Sequence, residues 1–126
     1  MKPKAISIIY WALDVLFTLA MLGDAYGGIT KQEAGQEVLK HLGYPVYMMV
    51  IMGVFKLFGA IAILQNKFTT LKEWAFAGFF ISFVGAFASR AFVGDKVTLL
   101  LPPIVMLLIM FTLYYFWKRY QAVNNL

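Results

Sequence analysis

The stretch AISIIYWALDVLFTLAM, from Ala5 to Met21, predicts the fold class, because it is apolar over almost the length that a membrane-spanning helix needs. Three similar stretches follow it along the chain: Tyr47 to Leu64, Trp74 to Ala91 and Leu99 to Trp117. The sequence therefore predicts an all-α integral membrane protein, a four-helix bundle that forms a single domain over residues 1–126.

The composition agrees with this class, since 62% of the residues are hydrophobic and 13% are charged, too few for the surface of a soluble domain. The absence of cysteine excludes disulfides and thiolate metal ligands. The net charge of +5 comes from residues at the predicted membrane edges, which favours anionic lipid of the bilayer as the partner and not nucleic acid. We find no catalytic constellation and no metal site, so we expect no enzyme activity from this chain by itself.

Lysine and arginine residues predict the orientation of the helices. The first stretch follows Lys2 and Lys4 as a signal sequence would, but its length and the charge of Asp14 favour a mature helix. Positive residues concentrate on the side of the two termini and of the link from Gln65 to Glu73. We therefore expect both termini in the cytoplasm, with the protein in a bacterial inner membrane.

The first extracytoplasmic loop predicts a short helix at the membrane interface. Thr30 and Glu33 have the spacing of a capping box, and Gly43 and Pro45 would end the helix. Later in the chain, Val93 to Lys96 predicts a tight turn, and Pro102 and Pro103 suit the first turn of the last span.

Two opposite charges, Asp14 and Lys56, interrupt apolar stretches at the same predicted depth, roughly 13 Å into the hydrocarbon. Ser82 reaches a similar height. Charges inside a membrane usually pair or line a polar cavity. The three residues therefore predict a polar core, which is either a ligand-binding site or a packing salt bridge without a ligand.

A second pair, Asp24 and Arg90, is predicted at the outer edge, where an unremarkable interfacial ion pair is the stronger interpretation. His41 lies in the first loop, where a solvated or capping role is favoured over a titrating one.

One face of the third span is made of small residues, Gly78, Ser82, Gly85 and Ser89, and the second span adds Gly53, Gly59 and Ala60. Small residues let membrane helices approach closely, which predicts the seam of the bundle. The alternative is that they leave room for a flat ligand such as a quinone. Aromatic residues would flank that ligand: Phe79, Phe80, Phe83 and Phe87.

Four segments together resemble the DoxX-like membrane protein family. They are HLGYP at residues 41–45, GVFKLFGAIA at 53–62, LKEWAFAGF at 71–79 and PPI at 102–104. The resemblance covers nearly the whole chain and implies a four-helix membrane bundle. It also implies that Lys56 and the motif formed by His41, Gly43, Tyr44 and Pro45 are recurring features.

The resemblance implies a role in membrane redox or stress-response complexes. We therefore expect a small accessory or ligand-binding subunit, for a quinone-like or lipid-like molecule, with other membrane subunits or a second copy as partners. The sequence requires no cofactor, and a quinone fits the family. Two alternatives stay open: a small proton-linked transporter or efflux protein gated by Asp14 and Lys56, and an assembly factor for membrane proteins.

Overall fold

The computed structural model of the protein describes residues 2–124, and the chain is helical throughout that range apart from short links. The five helices are α1 (Pro3–Ile29), α2 (Glu33–Leu42), α3 (Met48–Leu64), α4 (Thr69–Phe92) and α5 (Val97–Asn124). No strand occurs among the described residues. The all-α prediction is confirmed.

The four longer helices pack in a ring, in which α1 contacts α3 and α5, and α4 contacts the same two helices from the other side. Tyr10, near the start of α1, stacks on Tyr120, near the end of α5, with ring centroids 4.5 Å apart. The start of α1 and the end of α5 therefore lie at one end of the ring, which we call the terminal end. The opposite end, which includes α2, is called the α2 end.

The interior of the ring is largely aromatic. Phe17 of α1 meets Phe79 and Phe83 of α4 edge to face, and Phe76 stacks on Trp117 of α5. The outer faces are also apolar, since the side chains of Phe55 and Trp74 are 71% and 75% exposed. An outer surface of this kind is suited to lipid and not to water.

Three of the described helices, α1, α4 and α5, are long and apolar enough to cross a membrane. The fourth apolar helix, α3, has 17 residues and spans about 25 Å, less than the roughly 30 Å of a typical hydrocarbon core.

Three of the predicted spans are longer than expected. The first helix runs to Ile29 and not to Met21, because the carboxylate of Asp24 is exposed at the surface and does not interrupt the helix. The third span begins at Thr69, so that Lys72 lies inside the helix and not in the preceding link. The last span begins at Val97, which puts Pro102 and Pro103 in the second turn; the prediction of the first turn was wrong.

The helix predicted in the first loop is present as α2, but its capping box is absent. The helix begins after Gln32, and the Thr30 hydroxyl donates to the carbonyl of Tyr26 at 2.7 Å instead of capping α2. The predicted end is confirmed, since Gly43 adopts the left-handed conformation at φ 87° and terminates the helix.

A close approach of backbones joins α1 to α3 and does not involve the small-residue face of α4. A Cβ atom on Gly28 would lie 2.6 Å from the Met49 carbonyl oxygen, and one on Gly53 would lie 2.9 Å from the Ala25 carbonyl oxygen. By contrast, a Cβ atom on Gly78 or Gly85 would meet no described neighbour within 4 Å. The prediction that this face of α4 forms the seam of the bundle was therefore wrong.

Candidate functional site

Asp14 forms its ion pair with Lys72 and not with Lys56. The Lys72 ammonium lies 3.4 Å from Asp14 Oδ2, and both side chains are fully buried. Tyr10 donates a hydrogen bond to the same carboxylate oxygen at 2.8 Å. Lys72 also donates to the Tyr10 hydroxyl and, at 3.0 Å, to Asn66 Oδ1. We call these four residues the buried polar cluster.

Aromatic rings shield the buried polar cluster from the rest of the interior. The Lys72 ammonium lies 4.9 Å from the centre of the Tyr10 ring and 5.2 Å from that of Trp117. Cation–π contacts of this kind stabilise an ammonium group that has lost its water. Tyr10, Asp14 and Lys72 are therefore shielded from solvent near the terminal end, and Asn66 is the partly exposed member of the cluster.

The register of α1 against α3 explains why the expected pair does not form. Gly28 contacts Gly53, and Asp24 lies beside Lys56, so the two helices run antiparallel with these residues opposite each other. Stepping ten residues back from Asp24 brings Asp14 opposite residue 66, beyond the end of α3 at Leu64. The sequence missed Tyr10, Asn66 and Lys72 because it assigned the last two to a solvated link. The four-residue spacing of Tyr10 and Asp14 on one helix face was the available signal.

The predicted outer pair of Asp24 and Arg90 does not form either. Asp24 Oδ2 lies 3.5 Å from the Lys56 ammonium, and its side chain is 56% exposed. Arg90 instead pairs with Asp95 in the turn between α4 and α5, at 3.1 Å. The longer α1 moves Asp24 away from the end of the helix, which accounts for the change of partner.

A groove of about 710 Å³ separates α3 from α4 and is open to the side of the bundle. Gly59, Gly78, Gly85 and Ala86 leave it wide, and large apolar side chains make up most of its walls. Its polar lining side chains are Lys56, Ser82, Ser89 and Tyr44. The structure thus brings Lys56 and Ser82 to the same groove and leaves Asp14 in the buried polar cluster.

Contacts between the helices close the back and one end of the groove. Gly59 of α3 packs against Phe79 of α4, where an added Cβ atom would lie 2.9 Å from the ring. At the α2 end, the Tyr44 and Ser89 hydroxyls lie 2.6 Å apart and join the segment after α2 to α4. From Leu71 to Ser89 the groove follows about 27 Å of helix α4.

Of the four phenylalanines expected to flank a ligand, Phe79 and Phe83 line the groove and are buried. Phe80 points away from it and packs against Phe111 of α5, with ring centroids 5.7 Å apart. Phe87 is partly buried and is not among the lining residues.

The His41 to Pro45 motif joins α2 to the rest of the protein. His41 Nε2 lies 2.6 Å from Asp95 Oδ1, and Asp95 also accepts from Arg90. Gly43 supplies the left-handed turn that ends α2, and the Pro45 carbonyl accepts from the Met48 backbone at the start of α3. The motif therefore fixes α2 and Tyr44 over the α2 end of the groove.

The attachment of α2 is expected to weaken at acid pH. The hydrogen bond from His41, and then Arg90, lower the pKa of Asp95 below its ordinary value of 3.8. A carboxyl group with a lowered pKa stabilises the docked helix above that ordinary value and loses this effect as the pH falls through the lowered pKa. Spin labels on Glu37 and Lys96 should therefore move apart below about pH 4. In Asp95→Asn the label distance should be longer already at neutral pH and should not respond to acid.

No group of three or more acidic or histidine side chains capable of holding a metal ion occurs in the part of the chain that the structure describes.

Comparison with known proteins gives one informative match. Neither the curated proteins nor the solved structures include a match to this chain. The family model described as the DoxX-like family matches residues 12–112, which include the whole groove and most of the buried polar cluster. Together with the apolar helices, this match identifies a membrane protein, and the chain belongs to the DoxX-like family.

Proposed function

We propose that the protein is a small accessory subunit of the membrane that binds a quinone-like molecule in the groove between α3 and α4, in support of membrane redox or stress-response chemistry. The main observation is the open space over Gly78 and Gly85, beside the side chains of Lys56 and Ser82. Small residues on a membrane helix normally allow a neighbour to approach, and here no described neighbour fills the space.

The size of the groove supports an apolar ligand with a tail. Its volume of about 710 Å³ falls within the range of small-molecule sites, and its walls are mostly hydrocarbon. Its length along α4, about 27 Å, approaches the thickness of the hydrocarbon core. An isoprenoid or acyl chain lying along the groove would cover it.

The position of the polar residues favours a quinone ring over a phospholipid. Ser82 lies about 16 Å along α4 from Leu71 and about 10 Å from Ser89, well inside the groove. A phospholipid keeps its polar group at the membrane surface, whereas a quinone carbonyl can accept a hydrogen bond at this depth. Lys56 and Ser82 are the donors that this proposal assigns to the carbonyl groups.

The proposal includes four spanning helices, with both termini in the cytoplasm of a bacterial cell. The shared terminal end supports it, as do the cationic residues there, Lys2, Lys4, Lys67 and Arg119. Lys72 is not counted with them, because it is buried and pairs with Asp14. The short helix α3 would require a locally thinner bilayer or a polar segment at its end.

The groove also distinguishes this proposal from the two alternatives. A transporter gated by Asp14 and Lys56 lacks its central contact, because the two residues have different partners. An assembly factor would recognise client helices over an exposed face, and it would not need a polar pair such as Lys56 and Ser82 inside a groove.

Fluorescence of Trp74 tests ligand binding directly. Trp74 lines the groove and is 75% exposed, so a quinone bound there should quench its emission. We expect saturable quenching by a short-tailed quinone in nanodiscs. Gly78→Leu, which fills the groove, should weaken the apparent affinity about tenfold or more, and Lys56→Met should weaken it by a similar factor.

The matched control is Gly23→Leu on α1, which places the same side chain in open space away from the groove. Its affinity should equal that of the wild type. Quenching that increases linearly with quinone concentration and is equal in all four proteins would exclude the site.

A further inference from the structure

Two buried oxygen atoms on α1 have no hydrogen-bond partner among the described protein atoms. They are Asp14 Oδ1 and Thr18 Oγ1, whose residues are 0% and 3% exposed. Residues four apart on a helix lie on the same face, so the two oxygens are neighbours in the interior. Buried polar atoms without a protein partner usually bind ordered water.

The other carboxylate oxygen of Asp14, Oδ2, accepts all the hydrogen bonds that the protein donates to this side chain. Tyr10 donates to Oδ2 at 2.8 Å, and the Lys72 ammonium lies 3.4 Å from it. The two other protons of Lys72 are directed to the Tyr10 hydroxyl and to Asn66. The Lys72 donors are therefore fully used, and Asp14 Oδ1 is free to accept a further donor.

The same hydrogen bonds form a chain from Lys72 to Asp14, which begins beside a partly exposed residue. Asn66 lies in the link between α3 and α4 and is partly exposed at the terminal end. It accepts from Lys72, Lys72 donates to the Tyr10 hydroxyl, and Tyr10 donates to Asp14. The transfer steps run from Lys72 to Tyr10 and from Tyr10 to Asp14. Asn66 only accepts from Lys72, and it marks where Lys72 comes nearest to the surface.

We propose that Asp14 is a proton-binding residue loaded from the terminal end through Lys72 and Tyr10, and that Asp14 Oδ1 and Thr18 Oγ1 together bind one water molecule. This site is separate from the groove, since neither Asp14 nor Thr18 lines it. It therefore stands whether or not a quinone binds.

The transfer balances in protons and charge. Lys72 gives a proton to the Tyr10 oxygen as Tyr10 gives its own proton to Asp14, which leaves an amine, a phenol and a carboxylic acid. The Lys72 amine, which lies beside the partly exposed Asn66, is then reprotonated by a proton from the bulk solvent, so that one proton is taken up in total. The intermediate contains no charge in the buried cluster, which avoids the cost of desolvating an ion pair.

The titratable groups that face Asp14 from the packed elements are few. Tyr10 is on α1, Lys72 on α4 and Tyr120 on α5, stacked on Tyr10. Asn66, from the link after α3, is neutral. Lys118 also lies close to Trp117, but it pairs with Glu73.

Infrared difference spectroscopy of the whole protein in nanodiscs tests the proposal. As the pH is lowered from about 9 to 4, a carboxylic acid band of a buried group should appear. The band should be absent in Asp14→Asn and present in Asp24→Asn, which makes the same change at an exposed carboxylate. If Asp14→Asn removes no band at any pH in this range, Asp14 binds no proton and the proposal is wrong.

A second variant keeps the test valid if Asp14→Asn does not fold. Thr18→Val keeps the shape of the side chain but removes the hydroxyl that helps to hold the water. The Asp14 band should then shift to higher frequency, because its carbonyl loses a hydrogen bond. An unchanged frequency would contradict the water site between Asp14 and Thr18.

Discussion

Replacing Lys72 with methionine is expected to lower the free energy of unfolding by about 3 to 5 kcal/mol, because it leaves Asp14 as a buried charge without its partner. Asp14 and Lys72 are both 0% exposed, so bulk water does not reach the unpaired carboxylate. Unfolding in mixed micelles, followed by circular dichroism, measures the change.

A matched control is Lys118→Met, which breaks the ion pair with Glu73 at the surface of α5. The side chains of that pair are 42% and 34% exposed, so the cost should be about 1 kcal/mol or less. The double variant Asp14→Leu with Lys72→Met should be more stable than Lys72→Met alone, since no unpaired charge remains. Equal costs for Lys72→Met and Lys118→Met would show that the buried pair has no special role.

The second large effect is expected at the contact of α1 with α3. Gly53→Ala would put a Cβ atom 2.9 Å from both the Ala25 carbonyl oxygen and the Ile29 nitrogen. These are backbone atoms, so the two helices must separate, at a cost of about 1 to 3 kcal/mol. The same unfolding measurement should detect it.

Gly78→Ala is the matched control, because its added methyl group meets open space. Alanine favours the helix over glycine, so this variant should be unchanged or more stable by up to about 1 kcal/mol. The two alanine substitutions thus have opposite expected signs. Destabilisation of the same size in both would contradict the assignment of the close contact to α1 and α3.

The sequence predicted the helices well because membrane insertion leaves a simple signal. The stretch from Tyr47 to Leu64 differs from helix α3 by one residue at its start. The ends of α1 and α5 were less predictable, because a helix can continue past its most apolar stretch where a charged side chain such as Asp24 lies on the outside of the bundle.

Pairing of charges was not predictable from depth alone. The prediction that Asp14 and Lys56 lie at the same depth rested on an assumption. It required the start of α1 and the end of α3 to lie at the same level in the membrane. The contact of Gly28 with Gly53 sets a different register, which no count along a single helix reveals. In contrast, Lys56 and Ser82 lie on neighbouring antiparallel helices, and both line one groove, without Asp14.

The bundle thus contains two candidate binding sites with different surroundings. The buried polar cluster is enclosed by aromatic side chains near the terminal end, and we propose that it binds a proton. The groove is apolar and opens toward lipid, and we propose that it binds a quinone-like molecule. A functional link between them would appear as a pH dependence of quinone affinity that is lost in Asp14→Asn.

Binding of a quinone in the groove is tested most directly by mapping where a photoreactive quinone attaches to the protein in nanodiscs. We expect peptide mass spectrometry to find the label on groove residues of α3 and α4, with competition by unlabelled quinone and loss of the label in Gly78→Leu. Labelling spread evenly over the lipid-facing residues of α1, α4 and α5, without competition, would contradict binding in the groove.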